Sequence, residues 1–219
     1  MPHSFIELKP QIDPHLRRWM LFVDGENLTL RAQELAKKKS VQLVEGPAYA
    51  ADVYVWMPGV QPTQNIVPYA RLGVQGQGIR AYYYTSLVGA ADQIVSVKEA
   101  LRELGFSPEV FKKIRREQKA KGVDIALAKD ILGHAYRDNY DVAVLLAGDG
   151  DYVPLVVELK RLGKVVYVAF FETCGLSKEL WLEADMFFEL EPFFFDQWKR
   201  HPTGVVVPPP KPSPIPETQ

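Results

Sequence analysis

The chain has 219 residues, enough for one α/β domain with its own core, and its apolar (47%) and charged (24%) fractions are those of a globular protein. A net charge of -1 excludes a chain-wide basic field, so any nucleic-acid contact must be a local patch. The single cysteine, Cys174, excludes an intrachain disulfide and a multi-cysteine metal site, and no apolar run approaches the ~20 residues of a membrane span.

Residues 1–17 read as a polar lead-in without the apolar segment of a signal peptide, which together with the lone cysteine predicts a cytoplasmic protein. Trp19 to Val23 is an apolar run of the kind a strand buried on both faces shows, and it ends in Asp24-Gly25-Glu26-Asn27. A helix is predicted from Asn27 to Lys39. Asn27 can cap that helix or orient a neighbouring carboxylate, and the closing Lys37-Lys38-Lys39 suits a helix C-terminus or a phosphate. Asp52 to Met57 predicts a strand or hairpin arm, and Ile66 to Leu72 a short helix. Ile79 to Thr85 predicts a strand whose three tyrosines serve packing or base stacking. Ala90 to Leu104 has helical apolar spacing and stops at Gly105.

A short strand at Glu109 to Phe111 runs into the strongest basic patch of the chain: Lys112, Lys113, Arg115, Arg116, Lys119 and Lys121. Such a run is either solvated surface or a grip on phosphates. Asp124 follows at a predicted helix start, where it can cap the helix, and Asp130 lies further along, flanked by apolar residues. Residues 141–151, DVAVLLAGDGD, repeat the pattern of the first strand: an apolar run, then Asp149 and Asp151 around Gly150. Gly148 and Gly150 are expected to let the turn bend and a ligand approach. A helix over Tyr152 to Leu162, a strand over Lys164 to Phe170, a helix over Leu176 to Glu183 and a strand over Met186 to Leu190 complete the alternation. The aromatic segment Pro192 to Trp198 fits either a flap over the core or a homodimer contact. Residues 199–219 are proline-rich, an extended tail that could also engage a proline-reading partner.

Strand and helix alternate throughout, which predicts a parallel sheet with helices on both faces. In such a sheet the carboxyl ends of the strands carry the ligand site. Asp24, Asp124, Asp149 and Asp151 fall at strand ends or helix starts, with no cluster of His or Cys beside them. Hard oxygen ligands of this kind suit Mg²⁺ or Mn²⁺, and an acidic cluster approached by a basic run points to phosphodiester chemistry.

FVDGEN at 22–27, KGVDIALAKD at 121–130 and LLAGDGDYVPLVVELKRLGKVVYV at 145–168 resemble, in order and spacing, the NYN-domain family, in its LabA-like branch within the PIN-like nucleases. The resemblance implies a Rossmann-like three-layer α/β/α fold with a mainly parallel sheet. It also implies Mg²⁺- or Mn²⁺-dependent RNA cleavage, with the family's acids on Asp24, Asp124, Asp149 and Asp151 and its polar position on Asn27. The expectation is a metal-dependent ribonuclease for single-stranded or flexible RNA. In it the four aspartates are ligands, Asp130 is supporting, and the run from Lys112 to Lys121 is the RNA contact. The competing expectation is a catalytically weak RNA- or protein-binding regulatory module on the same fold. The nuclease domain is expected to span 18–198, with 40–77, which matches no motif of the family, as an insertion over the site.

Overall fold

A computed structural model describes residues 17–57, 74, 76–114 and 122–199. Its elements, in chain order, are β1 (Arg18–Asp24), α1 (Gly25–Lys38), β2 (Tyr49–Ala50), β3 (Tyr54–Val55), β4 (Gln77–Val88), α2 (Ala91–Glu103) and β5 (Ser107–Lys113). They continue with α3 (Val123–Tyr136), β6 (Val142–Leu146), α4 (Val153–Arg161), β7 (Val165–Phe170), α5 (Lys178–Glu183), β8 (Met186–Glu189), α6 (Glu191–Phe194) and α7 (Asp196–Lys199). Six strands form one sheet in the order β5-β4-β1-β6-β7-β8, and every neighbouring pair is parallel. The expected α/β/α architecture with a parallel sheet is what the chain adopts.

The apolar runs of β1 and β6 are long enough to feed two cores at once, because successive side chains on a strand face opposite sides. Trp19, Leu21 and Val23 of β1 pack with Leu28, Ala32 and Leu35 of α1 on one face. Met20 and Phe22 pack with Leu127 and Ile131 of α3 and with Val156 and Leu159 of α4 on the other. β6 divides in the same way, Val142, Val144 and Leu146 against Ala143 and Leu145. Arg18 fixes the shared starting edge: its amide (2.7 Å) and guanidinium (3.2 and 2.9 Å) donate to the Asp141 carboxylate.

The topology decides where a ligand can bind. The chain builds outward from β1 through β4 to β5, and α3 then returns it to β6 on the opposite side of β1. β1 and β6 therefore flank the point at which strand order reverses, and the turns leaving their carboxyl ends open a crevice there.

Several segments settle what the residues alone left open. The arm predicted over Asp52 to Met57 is the second half of a small antiparallel hairpin, β2 with β3. Tyr83 pins that hairpin: its hydroxyl donates to Val55 O (3.1 Å) and accepts from Val55 N (3.2 Å). Trp56, fully buried, meets Phe106 edge-on with ring centres 4.6 Å apart. The three tyrosines of β4 serve packing: Tyr82 stacks on Phe22, Tyr83 holds the hairpin, and Tyr84 donates to Asp130 Oδ2 (3.1 Å). The strand expected at Glu109 to Phe111 is longer and pairs with β4 as the sheet edge. Phe194 and Phe195 are fully buried, so the aromatic segment packs inward as a flap. The predicted helix over Ile66 to Leu72 and the proline-rich tail lie outside the described residues.

Candidate active site

Asp24 is the last residue of β1 and is 4% exposed. Its Oδ1 accepts from the Asn27 amide (2.9 Å), so Asp24 is the cap of α1, the role expected of Asn27. Its Oδ2 accepts from the Tyr152 hydroxyl (2.9 Å), which also stands 3.4 Å from Asp124 Oδ1. One phenol thus lies between two carboxylates that are far apart in the sequence. Burial pushes the Asp24 carboxyl up to about 6, and the like charges of Asp124 and Glu26 add to the push against the two donated hydrogen bonds. Burial also drives the Tyr152 phenol up, so it stays protonated as a donor.

Asn27, released from capping, reaches across the crevice: its Oδ1 accepts from the Gly148 amide (3.1 Å) and joins α1 to the turn after β6. Asp149 in that turn accepts the Asp151 amide at Oδ1 (3.1 Å), closing a local turn that fixes its carboxylate. Gly148 does not leave room for a ligand, because the ring of Phe170 and the carbonyl of Gly175 fill the space a side chain would take. Asp124 is the second residue of α3 and makes no cap; Gly122, with φ 105°, precedes the helix instead.

A cavity of about 890 Å³ opens at this crevice, and Asp24, Asn27, Asp124, Asp149, Glu26 and Lys113 are on its wall. Asp151 is exposed and is not among the lining residues; its backbone amide is what contributes to the site. Asp130 also stands away from the wall, held by Tyr84 and paired with Lys129 (3.3 Å).

Glu26 was not among the residues expected to act. Its carboxylate accepts from the Ser86 hydroxyl (2.9 Å) and pairs with Lys113, whose side chain is only 9% exposed. Lys113 is thus a cation fixed at the cavity wall, while Lys112 is exposed on the edge strand. Arg115, Arg116, Lys119 and Lys121 lie outside the described residues. The hairpin also reaches the site, through Ala51, Asp52 and Val53, so part of the segment 40–77 does wall the cavity.

The donor set can be tested against a divalent ion. Asp24, Asp124 and Asp149 offer hard oxygens, and a cation would offset the burial that raises Asp24 and the lesser push of the like charges beside it. Among the described residues, no three His, Cys, Asp or Glu side chains are close enough to form a cage. Mg²⁺ is commonly held by one or two carboxylates together with waters and substrate phosphate oxygens, and Asp24, Asp124 and Asp149 present carboxylates to the cavity.

Tyr152→Phe probes the central hydrogen bond. Donation from Tyr152 lowers the Asp24 pKa, so the variant is expected to titrate Asp24 at higher pH than the wild type. A carboxyl-carbon NMR titration of chelated protein reads this; an unchanged or lower midpoint contradicts the assigned contact.

A parallel α/β/α domain with a six-stranded sheet is consistent with the PIN-like class of nuclease folds. The NYN domain matches the chain over residues 18–191, and the chain belongs to the NYN domain family, whose members are generally nucleases. In structure it is similar to a protein of unknown function from Vibrio parahaemolyticus, at 21% identity and a TM-score of 0.54, over 84% of this chain and 99% of that one. That likeness is one of fold. No curated protein sequence matches the chain. Among the described residues, no helix is long and apolar enough to cross a membrane.

Proposed function

We propose that the chain is a Mg²⁺- or Mn²⁺-dependent ribonuclease of the LabA-like NYN branch, acting in the cytoplasm on single-stranded or flexible RNA. The observation that carries this reading is the convergence of Asp24, Asp124 and Asp149 on one cavity at the carboxyl ends of adjacent parallel strands. The ion, when bound, supplies Lewis-acid stabilisation of the charge that develops on a phosphodiester. Asp24 and Asp149 would hold it, with Asp124 opposite them. Tyr152 keeps Asp24 and Asp124 in register through its hydroxyl, and Asn27 fixes the turn that carries Asp149. The Asp151 amide orients Asp149, and Lys113, steadied by Glu26, meets a phosphate beside the acids. Lys112, Arg115, Arg116, Lys119 and Lys121 would guide the strand toward the crevice. The catalytic unit spans 18–198, between a lead-in at 1–17 and a proline-rich tail at 199–219.

Cleavage of a labelled mixed RNA pool with Mn²⁺ tests this. Wild-type cleavage is expected to vanish with chelator. In Asp149→Asn it should fall at least about 100-fold, beyond the loss typical of a residue acting only behind a ligand. Intact RNA in every lane, with folded protein, would overturn the nuclease reading in favour of an RNA- or protein-binding module, and retention of the labelled RNA by the protein would tell which.

A further inference from the structure

The cavity is larger than a phosphodiester needs, and its wall combines acids with aliphatic side chains. Besides the acids, the wall carries aliphatic side chains: Leu30 of α1, Val53 of the hairpin, Leu87 and Val88 at the end of β4, and Val97 of α2. Leu87 is buried, whereas Leu30 (53%) and Val88 (50%) hold half of their apolar surface in water. Polar groups sit along the same wall. Gln93 uses its side-chain oxygen to accept the Ala90 amide (3.0 Å), which leaves its amide hydrogens for another partner, and Ser96 adds a hydroxyl.

We propose that these aliphatic side chains form a nucleobase subsite, which takes one unpaired base of the RNA whose backbone lies at the acids; the inference rests on the ribonuclease reading above. A nucleobase has two apolar faces and a hydrogen-bonding edge. Aliphatic walls accept the faces, while the Gln93 amide and Ser96 hydroxyl can meet the edge. A sugar, polar on every side, would leave the aliphatic wall wet. The base and the phosphate of one nucleotide are joined through a single ribose, so a base subsite sharing a cavity with the acids fits one nucleotide held at both ends. The volume, about 890 Å³, falls within the range of ordinary small-ligand sites. A paired base cannot enter, because its edge is already used and its faces are stacked. The subsite thus selects single-stranded RNA by shape rather than by charge.

The test is equilibrium titration of the protein, with Mg²⁺ present, by each of the four nucleoside 5′-monophosphates and by ribose 5-phosphate. At least one nucleotide is expected to bind about tenfold or more tighter than ribose 5-phosphate, the scale on which a stacked base contributes. Leu30→Ser with Val88→Ser should erase that preference. Both side chains are half-exposed, so thermal unfolding of the variant should match the wild type. Equal affinity for the two ligand types, failure of all of them to bind, or a preference that survives the double variant overturns the subsite. The RNA cleavage assay fails separately. Base preference without cleavage leaves a binding module with its subsite intact, and cleavage without base preference overturns the subsite alone.

Discussion

Asp24→Asn is expected to make the metal-free protein more stable at pH 7.5 while lowering RNA cleavage at least about 100-fold. Asp24 carries its charge where burial opposes it, which lifts its pKa from 3.8 to about 6. The folded protein therefore binds this proton more tightly than the unfolded chain does. The stability linked to it is complete below the unfolded value of 3.8 and is lost as pH rises through about 6. At pH 7.5 the gap corresponds to about 3 kcal/mol. Asparagine keeps the shape and the oxygen that accepts the Asn27 amide. Its amide hydrogens can face Tyr152, whose hydroxyl then turns its proton toward Asp124, 3.4 Å away. In chelator, thermal unfolding of the variant should exceed the wild type by at least ~4 °C at pH 7.5. The gain should shrink toward zero at pH 4. A less stable variant at pH 7.5 would mean that the charge of Asp24 is not held against its burial. Stability and activity are opposed at this position because the crevice keeps an acid that the fold alone would discard.

Gly148→Ala is expected to cost about 3 kcal/mol or more, and with it ~6–12 °C in melting temperature. A methyl group at this position would lie 2.4 Å from the Gly175 carbonyl oxygen and 2.4 Å from two atoms of the Phe170 ring. The backbone oxygen has no rotamer with which to move aside. Gly148 also donates to Asn27 Oδ1 (3.1 Å) and accepts the Ser177 amide (2.8 Å), so displacing it pulls on α1 and on the segment before α5 together. Cleavage measured well below the melting temperature should fall further than the folded fraction does, because the turn carries Asp149. Gly46→Ala, where nothing lies within 4 Å, is the matched control and should be silent. A melting temperature within ~2 °C of wild type for Gly148→Ala would show that the turn yields more easily than its contacts suggest.

Much of the framework is legible in the residues. β1, β6 and β7 are continuous apolar runs, and α1, α2 and α4 carry helical spacing, so a parallel sheet between helices follows from the pattern of elements. Of the hairpin only the arm over Asp52 to Met57 is legible, because β2, with two residues, leaves no period to read. Tyr152 opens an apolar helical segment and looks like any core tyrosine until α3 brings Asp124 to its hydroxyl. Glu26 and Lys113 are 87 positions apart, and only the pairing of β4 with β5 brings Lys113 to the crevice. In the sequence Lys113 belongs to a basic run; in the fold it has a fixed acidic partner. Asn27 and Asp124 each had a reasonable local use as a helix cap, and in both cases tertiary geometry assigns something else.

The order in which the sheet is threaded also bears on synthesis. β1 is made first, yet one of its two neighbours, β6, is among the later strands, and the Asn27–Gly148 contact spans 121 residues. A nascent chain that has not yet delivered β6 presents β1 with an open hydrogen-bonding edge and two half-built cores, a state prone to pairing with other chains. Loop closure over that distance must come before the contacts that reward it, which slows folding. The acidic crevice therefore cannot form on the ribosome from the first half of the chain. It comes into being only when translation has passed the second of its two strands.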